Sequence, residues 1–207
     1  MGRTTSITRE KMLEAAFNML VRDGYATVNI KTLAAEIGCS TQPISWHFGS
    51  IQGLRKELYI YARKHVWSDD LFIREGKSAI DTFFEVGKNY INIACDQPNL
   101  FRFLNIDDLG EVRSTDESVL DLLFDSEMSK LFSHQYNVPE ERMKATIRDI
   151  IIYTHGLAVL MMWDHYHMDK EKAFTLIYEN GRDKFARLGI EIKRFTKCIK
   201  THGSGRI

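Results

Sequence analysis

Residues 29–58 read NIKTLAAEIGCSTQPISWHFGSIQGLRKEL, and the spacing of apolar and turn residues in this stretch decides the fold. Leu33, Ala34 and Ile37 share one face of a helix that Asn29 can cap at its start. Gly38 supplies the backbone freedom needed at a corner. Ser40 stands where the next helix needs an N-cap, and Pro43 is tolerated because first-turn amides have no helical partner. Phe48 and Leu54 close a small core behind that helix. Two short helices at a glycine corner with a longer helix behind them form a helix-turn-helix, a geometry that lets one helix end enter the major groove of DNA.

Working outward, Thr8 caps a first helix whose Met12, Leu13, Ala16, Phe17 and Leu20 share a face, with Ile7 stapled onto Met12 and Gly24 as the stop. After the motif a long helix is expected from about Ile51 to Ile73, broken at Gly76. The next runs from about Lys77 to Cys95, and Pro98 restarts the chain for a short turn of helix through Leu104. A loop over Asp107 to Thr115 leads to a capping box, Ser114-Thr115-Asp116-Glu117, that opens a helix to about His134. Pro139, at a first helical position, starts a long helix to about Tyr166. Asp169 caps the last one, which Gly189 ends. No segment alternates with a strand's period, so the chain is expected to be all-α. The expected domains are a helix-turn-helix head over 1–50, a helical body over 51–200 that the long helix joins to it, and a frayed tail over 201–207.

Gly24-Tyr25, Leu33-Ala34, Gly38-Cys39-Ser40, Ile44, His47-Phe48 and Leu54 resemble, in order and spacing, the DNA-binding domain of the tetracycline-repressor (TetR) family. The likeness covers roughly the first sixty residues and extends to His155-Gly156-Leu157-Ala158, which is similar to a signature in many members' C-terminal domains. It implies a homodimeric transcriptional regulator, usually a repressor, whose C-terminal domain binds a small molecule that changes its affinity for operator DNA. The chain departs from the family at Gln42 and Pro43, where glycine and then threonine or alanine are common. Ser45 stands where a tyrosine often contacts phosphate, and Ile51 where a lysine often opens the long helix.

Charge agrees with a reader at one end. The 207 residues carry net charge +0, yet Met1 to His65 hold nine basic against five acidic residues, +4, and the remainder nineteen against twenty-three, −4. A positive end on a negative body suits DNA. Ser40, Thr41, Gln42, Pro43, Ser45, Trp46 and His47 are the expected DNA-facing residues, with Gln42 able to pair bidentately with adenine. Trp46 and His47 lie along the sugar-phosphate wall, and Lys31, Arg55 and Lys56 are expected on phosphates.

Within the body, Gly156 sits mid-helix at a cost of about 1 kcal/mol against alanine, which makes sense where another helix approaches closely. Ile151, Ala158 and Met162 form one expected dimer stripe, and Leu176, Gly181, Phe185 and Leu188 the other, as four helices around a two-fold axis. Trp67, Tyr90, Cys95, Phe103, Met128, Tyr153, His155 and Trp163 are the expected lining of a site for a small hydrophobic or aromatic effector. Phe84, Phe101 and Phe124 are further aromatics of the body.

Two rival readings stand beside this one. Trp163-Asp164-His165-Tyr166-His167-Met168 is the densest group of potential metal ligands, which would suit a metal-dependent enzyme. On a helix only Asp164 and His167 share a face, and no HExxH-type pattern supplies a third ligand, so neither metal, cofactor nor catalysis is expected. A helical protein-interaction module with a degenerate helix-turn-helix is the other. Cys39, Cys95 and Cys198 have no paired spacing, the start of the chain is polar, and the longest apolar run, Gly156 to Trp163, is too short to span a membrane. A reduced, cytoplasmic protein is expected.

Overall fold

The computed structural model describes residues 7–66, 78–107, 109–110, 126–163 and 167–192, with the side chains of 126–128 left aside. Among these residues every regular element is helical. In chain order they are α1 (Arg9–Asp23), a single 3-10 turn (Tyr25–Thr27), α2 (Ile30–Ile37), α3 (Thr41–Phe48), α4 (Ile51–Val66), α5 (Ala79–Asp96), α6 (Pro98–Asn105), α7 (Ser126–Tyr136), α8 (Glu140–Met162) and α9 (Lys170–Ala186).

The head's helices begin and end where local chemistry dictates. Thr8 Oγ1 accepts from the Lys11 amide at 3.3 Å, and Gly24, at φ +85°, ends α1 with its N–H on the Leu20 carbonyl. Asn29 Oδ1 accepts from the amides of Lys31 and Thr32, while Thr32 Oγ1 accepts from the Asn29 amide at 3.1 Å. That reciprocal capping box starts α2. Gly38 turns the chain in the left-handed region at φ +69°, which only glycine enters without a Cβ penalty. Ser40 occupies the N-cap position of α3, but its hydroxyl makes no capping bond.

In the body the caps are again local. Ser78 Oγ accepts from the Asp81 amide to start α5, two residues later than the sequence suggested. Pro139 is the N-cap residue of α8 rather than its first helical one, and Asp169 Oδ1 caps α9 through the Lys172 amide at 2.7 Å. The expected end of the long helix at Ile73, the break at Gly76 and the 114–117 capping box lie outside the described residues, whereas α8 stops at Met162, where Trp163 turns extended, short of the expected Tyr166.

Three packed clusters hold the chain together. The first joins α1 to α4 and takes in Leu100, Phe103 and Leu104 of α6. A second packs Phe83 and Phe84 of α5 against Phe132, Ile147, Ile150 and Phe185. The third contains Tyr90, Ile91, Phe101, Leu157, Ala158 and Ile177. Helix α6 therefore puts one face into the head and Phe101 into the body. Helix α8 is long and apolar enough to cross a membrane by length and composition, contrary to the reading of its short run. That apolarity is used in packing against α5, α7 and α9.

Candidate nucleic-acid interface

Helix α3 is rooted by two residues one turn apart. Ile44 is fully buried and Phe48 nearly so, which fixes the rotation of the helix and turns the opposite face outward. Thr41, Gln42, Ser45 and Trp46 occupy that outer face, with Trp46 80% exposed. Pro43 and His47 are half-buried at its edge. The Trp46 and His47 rings meet edge-on at 4.7 Å. With no hydroxyl cap from Ser40, the α3 N-terminus keeps first-turn amides available to a phosphate.

The basic residues divide. Arg22 makes a two-pronged contact with Glu36, at 3.0 and 3.1 Å, and also bonds Asp23. The Arg22 guanidinium accordingly holds the Glu36 carboxyl below the usual carboxylate range. Arg9 pairs with Glu57 at 2.6 Å. Arg55, expected on a phosphate, is instead turned inward: its guanidinium lies over the Tyr25 ring at 4.7 Å, and its Nε is buried without a hydrogen-bond partner. A cation on an aromatic face in a part-buried site is favourable and does not reach outward. Lys31 and Lys56 remain exposed on the head.

The expected body residues do not come together as one lining. Tyr90 and His155 do: the Tyr90 hydroxyl and His155 Nδ1 lie 2.7 Å apart. Phe101 stacks on the same imidazole, with centroids 6.2 Å apart and planes at 27°. Burial lowers the His155 pKa. Phe103 belongs elsewhere, buried in the head against Tyr25 and Tyr59. Tyr153 and Trp163 face solvent, the latter 55% exposed. Cys95 is half-buried at the end of α5, and burial raises its thiol pKa. Trp67, the Met128 side chain and Asp164, His165 and Tyr166 of the ligand-rich segment lie outside the described residues.

A cavity of about 30 Å³ opens beside Tyr90, walled by Phe84, Gly87, Ile150, Thr154 and Ile177 among others. Gly87 and Thr154 carried no sequence signal for this role. A helix-period reading of α5 from Phe83 through Tyr90 would have put Gly87 on the inner face.

The dimer stripes need correcting. Ile151, Ala158, Gly181 and Phe185 are buried within the protomer, and Met162, Leu176 and Leu188 pack half-buried on its cores. A Cβ on Gly181 would lie 2.5 Å from the Phe84 ring, so that glycine serves a close approach inside the chain. The large apolar residues α8 leaves outside are Ile152, Tyr153 and Leu160, and Trp163 is exposed just past its end. Gly156 is exposed among them, with nothing within 4 Å of where its Cβ would be.

A helix-turn-helix head on an all-helical body is the architecture of a DNA-binding regulator of transcription. Residues 12–58 match the family described as bacterial regulatory proteins, tetR family. Solved structures carry the same fold over most of the chain. A single-substitution variant of TetR from Acinetobacter baumannii AYE, in complex with minocycline, is 13% identical, covers 88% of this chain and 96% of its own, and superposes with a TM-score of 0.60. BioQ from Mycobacterium smegmatis is 16% identical over 86% of this chain and 98% of its own, with a TM-score of 0.58. BioQ with its natural double-stranded DNA operator is 16% identical over 84% and 97%, with a TM-score of 0.51. No curated protein matches the chain. At these identities the likeness establishes the fold.

Proposed function

We propose that the chain is a homodimeric, operator-specific repressor of the cytoplasm whose hold on DNA is released by a small molecule bound in its body. The observation that carries this reading is the outer face of α3, rooted by Ile44 and Phe48 and presenting Thr41, Gln42, Ser45 and Trp46 to solvent. Gln42 reads a base edge, a contact worth about 1–3 kcal/mol of discrimination. Pro43 and Trp46 add apolar contact, Ser40 and His47 flank them, and Lys31 and Lys56 hold phosphates that fix the register. The BioQ fold bound to operator DNA and the TetR variant's fold bound to minocycline support both halves of the reading.

Pairing of two copies uses the exposed α8 face. Ile152, Gly156 and Leu160 recur at helical spacing on one side, with Trp163 exposed just past the helix end, and a second helix seated over Gly156 would cover them. Two heads on one axis reach successive major grooves, which a single head cannot do. Release follows as a population shift. An effector that prefers wrongly spaced heads lowers operator affinity only by its preference between the two states, and a 100-fold release takes about 2.7 kcal/mol of coupling.

Fluorescence anisotropy with duplexes that tile the DNA flanking the chain's own gene tests the reading. One duplex should bind far more tightly than the rest, and affinity should fall with salt at a logarithmic slope of about −0.9 per phosphate contact. Uniform binding with a flat salt response would instead favour the protein-interaction module.

A further inference from the structure

The cavity beside Tyr90 has a chemical character that selects its occupant. Its walls carry no charged side chain, and their two hydroxyls are already engaged. Thr154 donates to the Ile150 carbonyl at 2.8 Å, and Tyr90 is joined to His155 Nδ1 at 2.7 Å. The nearby Lys88 pairs with Glu85 and sits over the Phe174 ring. An ion moved into such a place loses its hydration and gains no counter-charge, a cost that excludes carboxylates and ammoniums. We propose that this site admits an uncharged, mainly apolar ligand with one hydroxyl or carbonyl, which enters by parting Tyr90 from His155 and takes over that hydrogen bond. The inference rests on the effector reading above and gives it a ligand class and a first contact.

Size sets the order of events. About 30 Å³ takes little more than a methyl group or a water, so a ring-sized ligand needs the Tyr90 side chain to swing aside. Phe101 would register that movement. It lies 5.0 Å from the Tyr90 ring and stacks on His155, while Leu100, Phe103 and Leu104 of the same short helix are set in the head's core. The event that makes room for the ligand therefore disturbs a helix whose buried residues divide between head and body.

Benzyl alcohol, benzoate and benzylammonium share a ring and differ in charge, and each is titrated into the full-length protein by calorimetry at pH 7.5. Benzyl alcohol should bind at least tenfold more tightly than either ion, and the His155 imidazole NMR signals should move on its addition. Gly87→Ala places a methyl 3.4 Å from the Ile177 side chain, an ordinary contact. It should weaken benzyl alcohol at least tenfold without lowering the melting temperature. Equal binding by benzoate or benzylammonium, or an unchanged affinity in Gly87→Ala, overturns the proposal. The same probe added to the protein–DNA complex separates the two readings. Gly87-dependent binding that leaves DNA affinity unmoved keeps the site and removes its effector role. A protein that holds DNA but binds no neutral probe keeps the regulator and removes the site.

Discussion

Helices α3 and α8 both leave a face outside, yet they arrive at it differently. Helix α3 is eight residues long, buries Ile44 and Phe48, and exposes the rest of its turn-by-turn pattern. Helix α8 is 23 residues long and is gripped by α5, α7 and α9, so Met143, Ile147, Ile150, Ile151, Thr154, Leu157 and Ala158 are all buried. Its free face is a remainder: Ile152, Gly156 and Leu160 are what three neighbours leave uncovered. A short helix with one neighbouring face can be oriented from its own sequence. A long helix with three neighbours cannot, because several stripes of it are apolar and only tertiary packing says which is outside.

The two mid-helix glycines of the body sharpen that contrast and give the largest effect. Gly181 and Gly156 are compared as alanine variants by urea denaturation, in a Leu160→Glu background that keeps protomers apart. Both substitutions gain the same helix propensity, up to about 1 kcal/mol. At Gly181 the added Cβ would meet the Phe84 ring at 2.5 Å, whereas at Gly156 it meets nothing within 4 Å. Overpacking costs about 1–3 kcal/mol, so Gly181→Ala should be the less stable of the pair by that margin. Equal stabilities would mean that the Phe84 ring yields freely, and the inward assignment of Gly181 would fail.

This division also explains what the sequence made legible. Thr8, Asn29, Gly24 and Gly38 act through bonds no more than five residues away, so the head's helix ends could be read directly. The outer face of α3 is set by the spacing of Ile44 and Phe48, both of which lie within the helix itself. Body assignments failed where a rotation depended on distant residues. Phe101 and Phe103 stand two positions apart on α6, yet one stacks on His155 and the other packs against Tyr59. Nothing within α6 distinguishes them. The dimer stripe was misplaced for the same reason: Ile151 and Ile152 are equally apolar, and only the position of α5 and α9 buries the first.

Arg55 and Lys56 bring the comparison down to two adjacent residues on α4. Sequence placed both on phosphates, but the Tyr25 ring, thirty residues earlier, captures the first. Lys56→Ala should weaken binding to all duplexes alike and reduce the magnitude of the salt slope by about 1. Arg55→Ala should leave the slope unchanged and lower head stability by about 0.5–2 kcal/mol through the lost cation–π contact. Anisotropy titrations between 50 and 200 mM salt, paired with thermal melts, read both quantities. A reduced slope in Arg55→Ala would show the guanidinium leaving Tyr25 for DNA.

The smallest effect concerns pH, and it contrasts a half-buried group of the body with exposed ones. Burial lowers the His155 pKa in the folded chain, so the folded state binds its proton less readily than the unfolded one, whose histidine titrates near 6.5. Stability is then full above that region and falls as the pH drops through it. Glu36 and Asp149 are also lowered, by Arg22 and Lys184, but they are exposed and titrate further into acid. The window between pH 7.5 and 5.5 therefore isolates the histidine contribution from these carboxylates. His155→Gln keeps a polar side chain beside Tyr90 and removes the titration. Urea denaturation at the two pH values should show a smaller loss on acidification in the variant than in the parent. Equal losses would mean that the imidazole accepts its proton in the folded state without cost, against the lowering that its burial imposes.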